Sequence, residues 1–264
     1  MAATVNEIRA AIETVYPPRY AMSWDNPGLL VGHGDKIVSR ILVALDATDE
    51  VIKEAVETGA QLIVTHHPMI FKSVSRINDE SAIGRRILDL VRSDISYYAM
   101  HTNFDAAPEG MGMLVARRMG VLAEGPMERM TEASAEGAFG IGFVGELAEE
   151  AKSAKQLAER IKEAFQIPSV VYYDGGKAIK RVAVCPGSGR GMYAYAKAAH
   201  ADAFITGDMG HHDGIDAVED GMTLIDAGHF GLEHVFVDFM THWLSERFPS
   251  LAVYGNLTDE RKTV

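Results

Sequence analysis

One cysteine, Cys185, stands in 264 residues, so no intrachain disulfide can staple the fold and no multi-cysteine zinc site can form. A reducing, cytoplasmic compartment is the expectation. No apolar run approaches the ~20 residues that span a bilayer. The opening Met-Ala-Ala-Thr-Val-Asn-Glu has neither the basic start nor the apolar stretch of a secretory leader. Basic residues are in the minority: 25 Lys and Arg against 37 Asp and Glu, a net charge of −12. That balance counts against a general nucleic-acid binder, which neutralises phosphates with a large basic face. Divalent cations, by contrast, partly neutralise such a surface. The remaining composition, 47% hydrophobic and 23% charged, is ordinary for a soluble globular protein with core enough for one large domain or two lobes.

Short β-branched runs alternate with helical patterns, which argues an α/β fold. Strands are expected at 40–45, 61–65, 95–100, 138–146, 168–173, 181–185, 203–206 and 223–226, and helices at 4–15, 48–58, 81–93, 110–119, 150–165, 190–200 and 229–247. Thr48 is placed to cap the helix at 48, Asp49 and Glu50 fall in its first turn, and Gly59 ends it. Residues 124–136 are small and polar and read as a connector between a first half, 1–123, and a second half, 137–264. The halves resemble each other. ILVALD, then LIVTHH, then YYAMHTNFD in the first matches RVAVCPGSG, then AFITGDMGHHD, then TLIDAGHFGLEH in the second. The expected architecture is therefore two linked α/β lobes related by internal duplication, with mixed sheets flanked by helices and a site in the cleft between them.

The chemistry gathers at strand ends. His66, His67, His101, His211, His212, His229 and His234 all lie there. His66 and His67 are adjacent, at the end of an apolar strand and just before Pro68, which keeps the pair extended. Neighbours on a strand point to opposite faces, so the two imidazoles suit two neighbouring ions better than one. Asp105 offers a hard oxygen, or merely caps its loop. His101 reads as a ligand, a proton shuttle or a group that orients a ligand. His229 and Glu233, four apart at the start of an apolar helix, project on one side. Together His66, His67, Asp105, His229 and Glu233 make three imidazoles and two carboxylates, a set suited to zinc, iron or manganese rather than calcium. Two such ions can bridge and deprotonate a water, which makes hydrolysis the default chemistry, with His101 or His211 moving protons.

Other motifs stay open. Asp208, His211 and His212 either serve the site from its edge or form a polar turn. Gly187-Ser188-Gly189 either cradles a phosphate or turns the chain tightly. Asp46 and Asp226 end strands where they can orient ligand histidines. Trp24, in the turn Trp24-Asp25-Asn26-Pro27-Gly28-Leu29, either lines the cleft or belongs to a structural turn.

Taken in order, SWDNPGLLVG, VTHHP, AMHTNFDA, PGSG, ITGD…HHD and DAGHFGLE make the chain resemble the Nif-three-like dinuclear metal-centre family, also known as GTP cyclohydrolase 1 type 2. The motifs span essentially the whole chain, which looks like the short form without an inserted domain. Pro27, Leu30 and Phe230-Gly-Leu depart from the family pattern, and none is a proposed ligand. The resemblance implies that His66, His67, Asp105, His229 and Glu233 bind two divalent ions, and it implies a toroidal homohexamer. The expected function is a metal-dependent hydrolase acting on a nucleotide or related small molecule through a metal-bridging hydroxide. A two-metal phosphoesterase and a non-catalytic metal-handling protein are the alternatives. No membrane partner is expected.

Overall fold

The computed structural model describes residues 2–129 and 140–262. The chain forms two compact units, Met1–Phe104 with Phe236–Thr258, and Asp105–Val235 with Asp259–Val264. Residues 105–123 and 236–258 thus lie on the other side of the division from the one expected of the sequence halves. In chain order the first unit holds β1 (Ala3–Thr4), α1 (Val5–Val15), β2 (Gly28–Val31), β3 (Ile37–Val38), β4 (Arg40–Ala44), α2 (Asp49–Thr58), β5 (Leu62–Thr65), α3 (Ala82–Arg92) and β6 (Ser96–Ala99). A short helix, α4 (Thr102–Asp105), carries the chain across. The second unit holds α5 (Met111–Met119), β7 (Val121–Gly125), β8 (Glu128–Arg129), β9 (Gly140–Ile141), β10 (Phe143–Ala151), α6 (Ala154–Phe165), β11 (Val171–Tyr173) and β12 (Ile179–Ser188). It continues with α7 (Tyr193–Ala198), β13 (Ala203–Gly207), α8 (His211–Glu219), β14 (Thr223–Asp226) and α9 (His229–Glu233). The chain then returns to the first unit with α10 (Val235–Arg247) and β15 (Ala252–Asn256).

The first unit is built on a sheet of order β15-β4-β5-β6-β2, parallel from β15 to β6 with β2 antiparallel at the edge. Leu42, Ala44, Ile63, Tyr97 and Ala99 pack on one face against Val51, Ile52 and Ala55 of α2 and Leu90 of α3. Alternation along the strands sends Ile41, Val43, Leu62, Val64 and Tyr98 to the other face, where they are equally buried. A parallel sheet covered on both faces explains why these strands read as unbroken apolar runs. The expected ends of α2 are present. The Thr48 side chain accepts from the Val51 N–H at 3.3 Å, and Gly59 adopts φ +67°, a left-handed C-cap.

The second unit is a sheet of order β11-β14-β13-β12-β10-β7, with β12, β13 and β14 parallel and the other pairings antiparallel. Ala183, Cys185, Phe204 and Leu224 form a core with Ala196 of α7 and Ala217 of α8. Helices α5, α6 and α9 also pack on this sheet. Each sheet therefore contains three consecutive parallel strands, β4-β5-β6 or β12-β13-β14, with an antiparallel strand beyond the third. These are the strands matched by the expected duplication, and the architecture is mixed α/β in both units.

Several elements depart from expectation. The Trp24 turn runs into a strand, β2, because Leu29 and Val31 pair with β6. Residues 124–129 of the expected connector are mostly strand, β7 and β8, and 130–136 lie outside the described residues. Strand β10 continues to Ala151, so α6 starts only after Ser153, whose side chain accepts from the Gln156 N–H. His211-His212-Asp213 opens α8 rather than a polar turn. The helix expected over 229–247 breaks at His234, whose Nδ1 approaches the carbonyls of Phe230 and Gly231 at 3.2 and 3.0 Å and so interrupts the helical ladder. Strand β15 carries no alternation strong enough to announce it. No helix among the described residues is long and apolar enough to cross a membrane.

Candidate metal centre

In the first unit, β5 stops at Thr65, so strand alternation no longer separates the two histidines that follow. The His66 and His67 ring centroids are 4.9 Å apart, and the His101 ring, just beyond β6, lies 5.2 and 5.6 Å from them. One ring nitrogen from each of the three falls within 4.8 Å of the others. A buried hydroxyl sets the turn. The Tyr97 O–H donates to the His67 carbonyl at 2.8 Å and accepts from the Met69 N–H at 2.8 Å, while Thr65 Oγ1 donates to the same carbonyl. Burial pushes the Tyr97 phenol well above its ordinary range, so it stays a protonated donor. His66 is fully buried, and the rings of Phe104 and Phe236 pack on it at 6.1 and 5.2 Å.

Each of these histidines has its Nδ1 held by an oxygen. His66 Nδ1 lies 3.0 Å from the Met100 carbonyl, His67 Nδ1 2.9 Å from Asp46 Oδ1, and His101 Nδ1 2.9 Å from Asp25 Oδ1. Those oxygens accept, so Nδ1 carries a proton and Nε2 is the nitrogen left to face a ligand, which is the orientation of a metal-ligating imidazole. Asp25 also accepts from the Thr102 N–H at 2.9 Å and the Thr102 hydroxyl at 2.5 Å. Burial alone would raise its carboxyl, but the His101 and Thr102 donors outweigh it and hold the pKa at about 2.

In the second unit, β12 and β13 end beside α9. His229 Nδ1 lies 2.7 Å from Asp208 Oδ2, and His229 Nε2 lies 3.0 Å from Oε2 of the buried Glu233. Asp105, at the end of α4, brings a carboxylate oxygen within 4.8 Å of one from Glu233. Burial first, and then the Asp105 and Glu233 charges, push the Cys185 thiol well above its ordinary range, which makes it inert. Glycines make room for this cluster. Gly187 sits at φ +74°, and a Cβ there would fall 2.4 Å from Glu233 Oε1. A Cβ on Gly207 would fall 2.5 Å from the His229 backbone nitrogen.

These residues fit a divalent cation. His229 donates from Nδ1 to Asp208 and faces the Glu233 carboxylate with Nε2, so a neutral His229 would set a lone pair against that carboxylate. Two acceptors at 3.0 Å are stable only when they share a cation, a proton or a metal ion. Imidazole nitrogens gather in the first unit, and carboxylates with an imidazole in the second; each group by itself is chemically closer to a zinc, iron or manganese site than to a calcium site.

The expected roles divide. Asp46 does orient a histidine, His67. Asp226 does not; it accepts from the Met209 and Gly228 N–H groups and holds the backbone before α9. The carboxylate that orients His229 is Asp208. A sequence signal for it existed, since Asp46–His67 and Asp208–His229 share a separation of 21 residues. Gly187-Ser188-Gly189 leaves space for Glu233 and Thr206 rather than forming an open phosphate loop, and the Gly189 N–H is directed to the Gly207 carbonyl. His211 and His212 are exposed on the first turn of α8, their rings 5.5 Å apart. Among the described residues, neither joins a grouping able to hold a metal. Tyr97 had no signal beyond its place in an apolar strand.

Comparison with known proteins agrees with the motifs. The model of the family Duf34/NIF3 (NGG1p interacting factor 3) matches residues 3–259. A GTP cyclohydrolase 1 type 2 homolog of Clostridium perfringens is 36% identical over 247 residues, covering 93% of each chain. The crystal structure of Staphylococcus aureus protein SA1388 superposes with a TM-score of 0.89 at 30% identity, covering 99% of both chains. A Bacillus cereus protein related to NIF3 shares the fold, with a TM-score of 0.90 at 23% identity over 100% of this chain and 99% of that one.

Proposed function

Because this chain belongs to the Duf34/NIF3 family, we propose that it is a dinuclear metal-dependent hydrolase acting on a nucleotide or a related small molecule. His66, His67, Asp105, His229 and Glu233 hold two divalent ions, of zinc, iron or manganese. The reading also makes the protein a cytoplasmic homohexamer, as the family resemblance implies. The observation that carries it is the His229–Glu233 contact, in which an imidazole oriented by Asp208 lies 3.0 Å from a buried carboxylate. Connectivity adds support. Phe104 and Phe236 both pack on His66; Asp105 directly follows the first, and Glu233 precedes the second by three residues.

Bound ions would acidify a water and stabilise negative charge developing on the substrate. The chain's own residues do the rest. Asp46, Asp208 and the Met100 carbonyl hold the three ligand imidazoles in one tautomer and one orientation. His101 has its Nδ1 proton committed to Asp25, so Nε2 accepts a proton and the resulting imidazolium is stabilised by the Asp25 carboxylate. Phe104 and Phe236 keep water from the buried His66.

Metal analysis of protein purified without added metal should find about two ions per chain, and the His66→Ala variant should lose at least one. Unchanged metal content in that variant overturns the ligand assignment. GTP, cyclic nucleotides and phosphodiesters are the substrates to offer the metal-loaded protein. No turnover of any of them with both metals in place would favour a metal-handling protein over a hydrolase. Light scattering reads the assembly, and a mass other than six chains refutes the hexamer.

A further inference from the structure

Two large aromatic side chains beside the histidine cluster of the first unit are exposed where packing does not call for it. Trp24 is 54% exposed and Phe71 43%. Their rings stack on each other, with centroids 5.6 Å apart and planes 29° apart. Both also meet the His101 ring edge to face, at 6.0 and 5.7 Å. Neither belongs to the packed core on β4, β5 and β6.

The loops that carry them are held firmly. Asp25, next to Trp24, accepts from His101 and Thr102, and the Met22 N–H donates to Thr102 Oγ1 at 2.9 Å. Asn26 Nδ2 donates to the Ile70 carbonyl at 2.6 Å, which ties the Trp24 loop to the residue before Phe71. Two stacked, exposed aromatic rings on a fixed frame offer a ligand a preformed surface. Its contact with His101 selects the occupant. Anything lying on the rings is also at the histidine cluster, which suits a small substrate rather than a flat protein partner. A planar ring stacks on an indole face, and every nucleobase has a π-face to offer.

We propose that Trp24 and Phe71 form a stacking platform that holds the planar nitrogen heterocycle of the substrate against His101. The inference rests on the proposed function and names its substrate class.

The chain has two tryptophans, so Trp243→Phe leaves Trp24 as the sole indole reporter. In that variant, loaded with zinc, guanosine 5′-monophosphate, uridine 5′-monophosphate and neopterin are titrated against Trp24 fluorescence, with ribose 5-phosphate as the ring-free control. The expected result is saturable quenching by at least one ring-bearing probe and none by ribose 5-phosphate. Calorimetry with that probe should then show Trp24→Ala weakened by about 5- to 150-fold, the range for stacking on one aromatic side chain, with Trp24→Phe closer to the parent. The proposal is overturned if no ring-bearing probe binds, if ribose 5-phosphate quenches equally, or if Trp24→Ala keeps full affinity. It is also overturned if Trp24→Ala changes the mass of the assembly, since the rings then serve contact between copies. Metal content is read on the same samples. Missing metals in the parent protein count against the proposed function, whereas full metals without ring binding count against the platform alone.

Discussion

Replacing Asp25 with asparagine removes one charge from a carboxylate that accepts four hydrogen bonds in the first unit. The Asp25 side chain is fully buried and accepts from His101 Nδ1, the Thr102 N–H, the Thr102 hydroxyl and the Asn26 N–H. Its pKa of about 2, against an ordinary 3.8, means that the fold favours the ionised form. At 1.36 kcal/mol per pKa unit, the difference is worth about 2.5 kcal/mol of stability at neutral pH. The sign follows from the depressed value. Stabilisation is fully present above pH 3.8 and is lost as pH falls through about 2. An asparagine in its place would keep a carbonyl acceptor but would lose the charge-assisted bonds. Urea unfolding of EDTA-treated parent and Asp25→Asn proteins, repeated from pH 7 to pH 2, measures this directly. The gap should be about 2.5 kcal/mol at neutral pH and should close between about pH 4 and 2. Taking the difference cancels the other carboxylates. A gap under about 0.5 kcal/mol, the scale of an ordinary surface substitution, or a gap that does not change with pH, would refute the reasoning.

Three further outcomes follow from the site. If His229 is a ligand as proposed, Asp208→Asn should weaken metal affinity by about 10- to 100-fold, the cost of losing a group that orients a ligand histidine, with circular dichroism unchanged; chelator competition reads it. Gly187→Ala places a methyl against Glu233 at a left-handed φ, so it should lower both metal content and the thermal midpoint, and a fully loaded variant of parental stability would contradict the close approach. Tyr97→Phe leaves the Met69 N–H without its acceptor and should cost about 1–3 kcal/mol in urea unfolding, because the buried turn after β5 loses its central hydroxyl.

Much of the fold was legible. Most of the expected strands lie within a few residues of their expected places, residues 138–139 of the strand expected at 138–146 lying outside the described residues, because the strands of a covered sheet are near-continuous apolar runs bounded by turn residues. Thr48, Asp49, Glu50 and Gly59 announced α2 for local reasons, a side-chain cap and a left-handed terminus, and both are present. Most of what failed was non-local. Strand β2 exists because β6 offers it an edge, and β15 because β4 does; neither carries a strong pattern of its own. His211 and His212 repeat the look of His66 and His67, yet they open α8, because Gly210 and Asp213 cap a helix there.

By itself, the sequence determined the kind of chemistry: an acidic, single-cysteine α/β chain with imidazoles and carboxylates at strand ends. That much depends on residue type and on spacing along one strand or one helical turn, which the backbone fixes locally. Only the tertiary structure decided which carboxylate backs which imidazole, that Gly187 yields space to Glu233, and that Trp24 lies on Phe71 rather than in a core. The carboxylate–imidazole partners are 21 to 76 residues apart in the chain. Their meeting depends on the order in which strands pair, which is set by the burial of whole faces rather than by any one residue's neighbours.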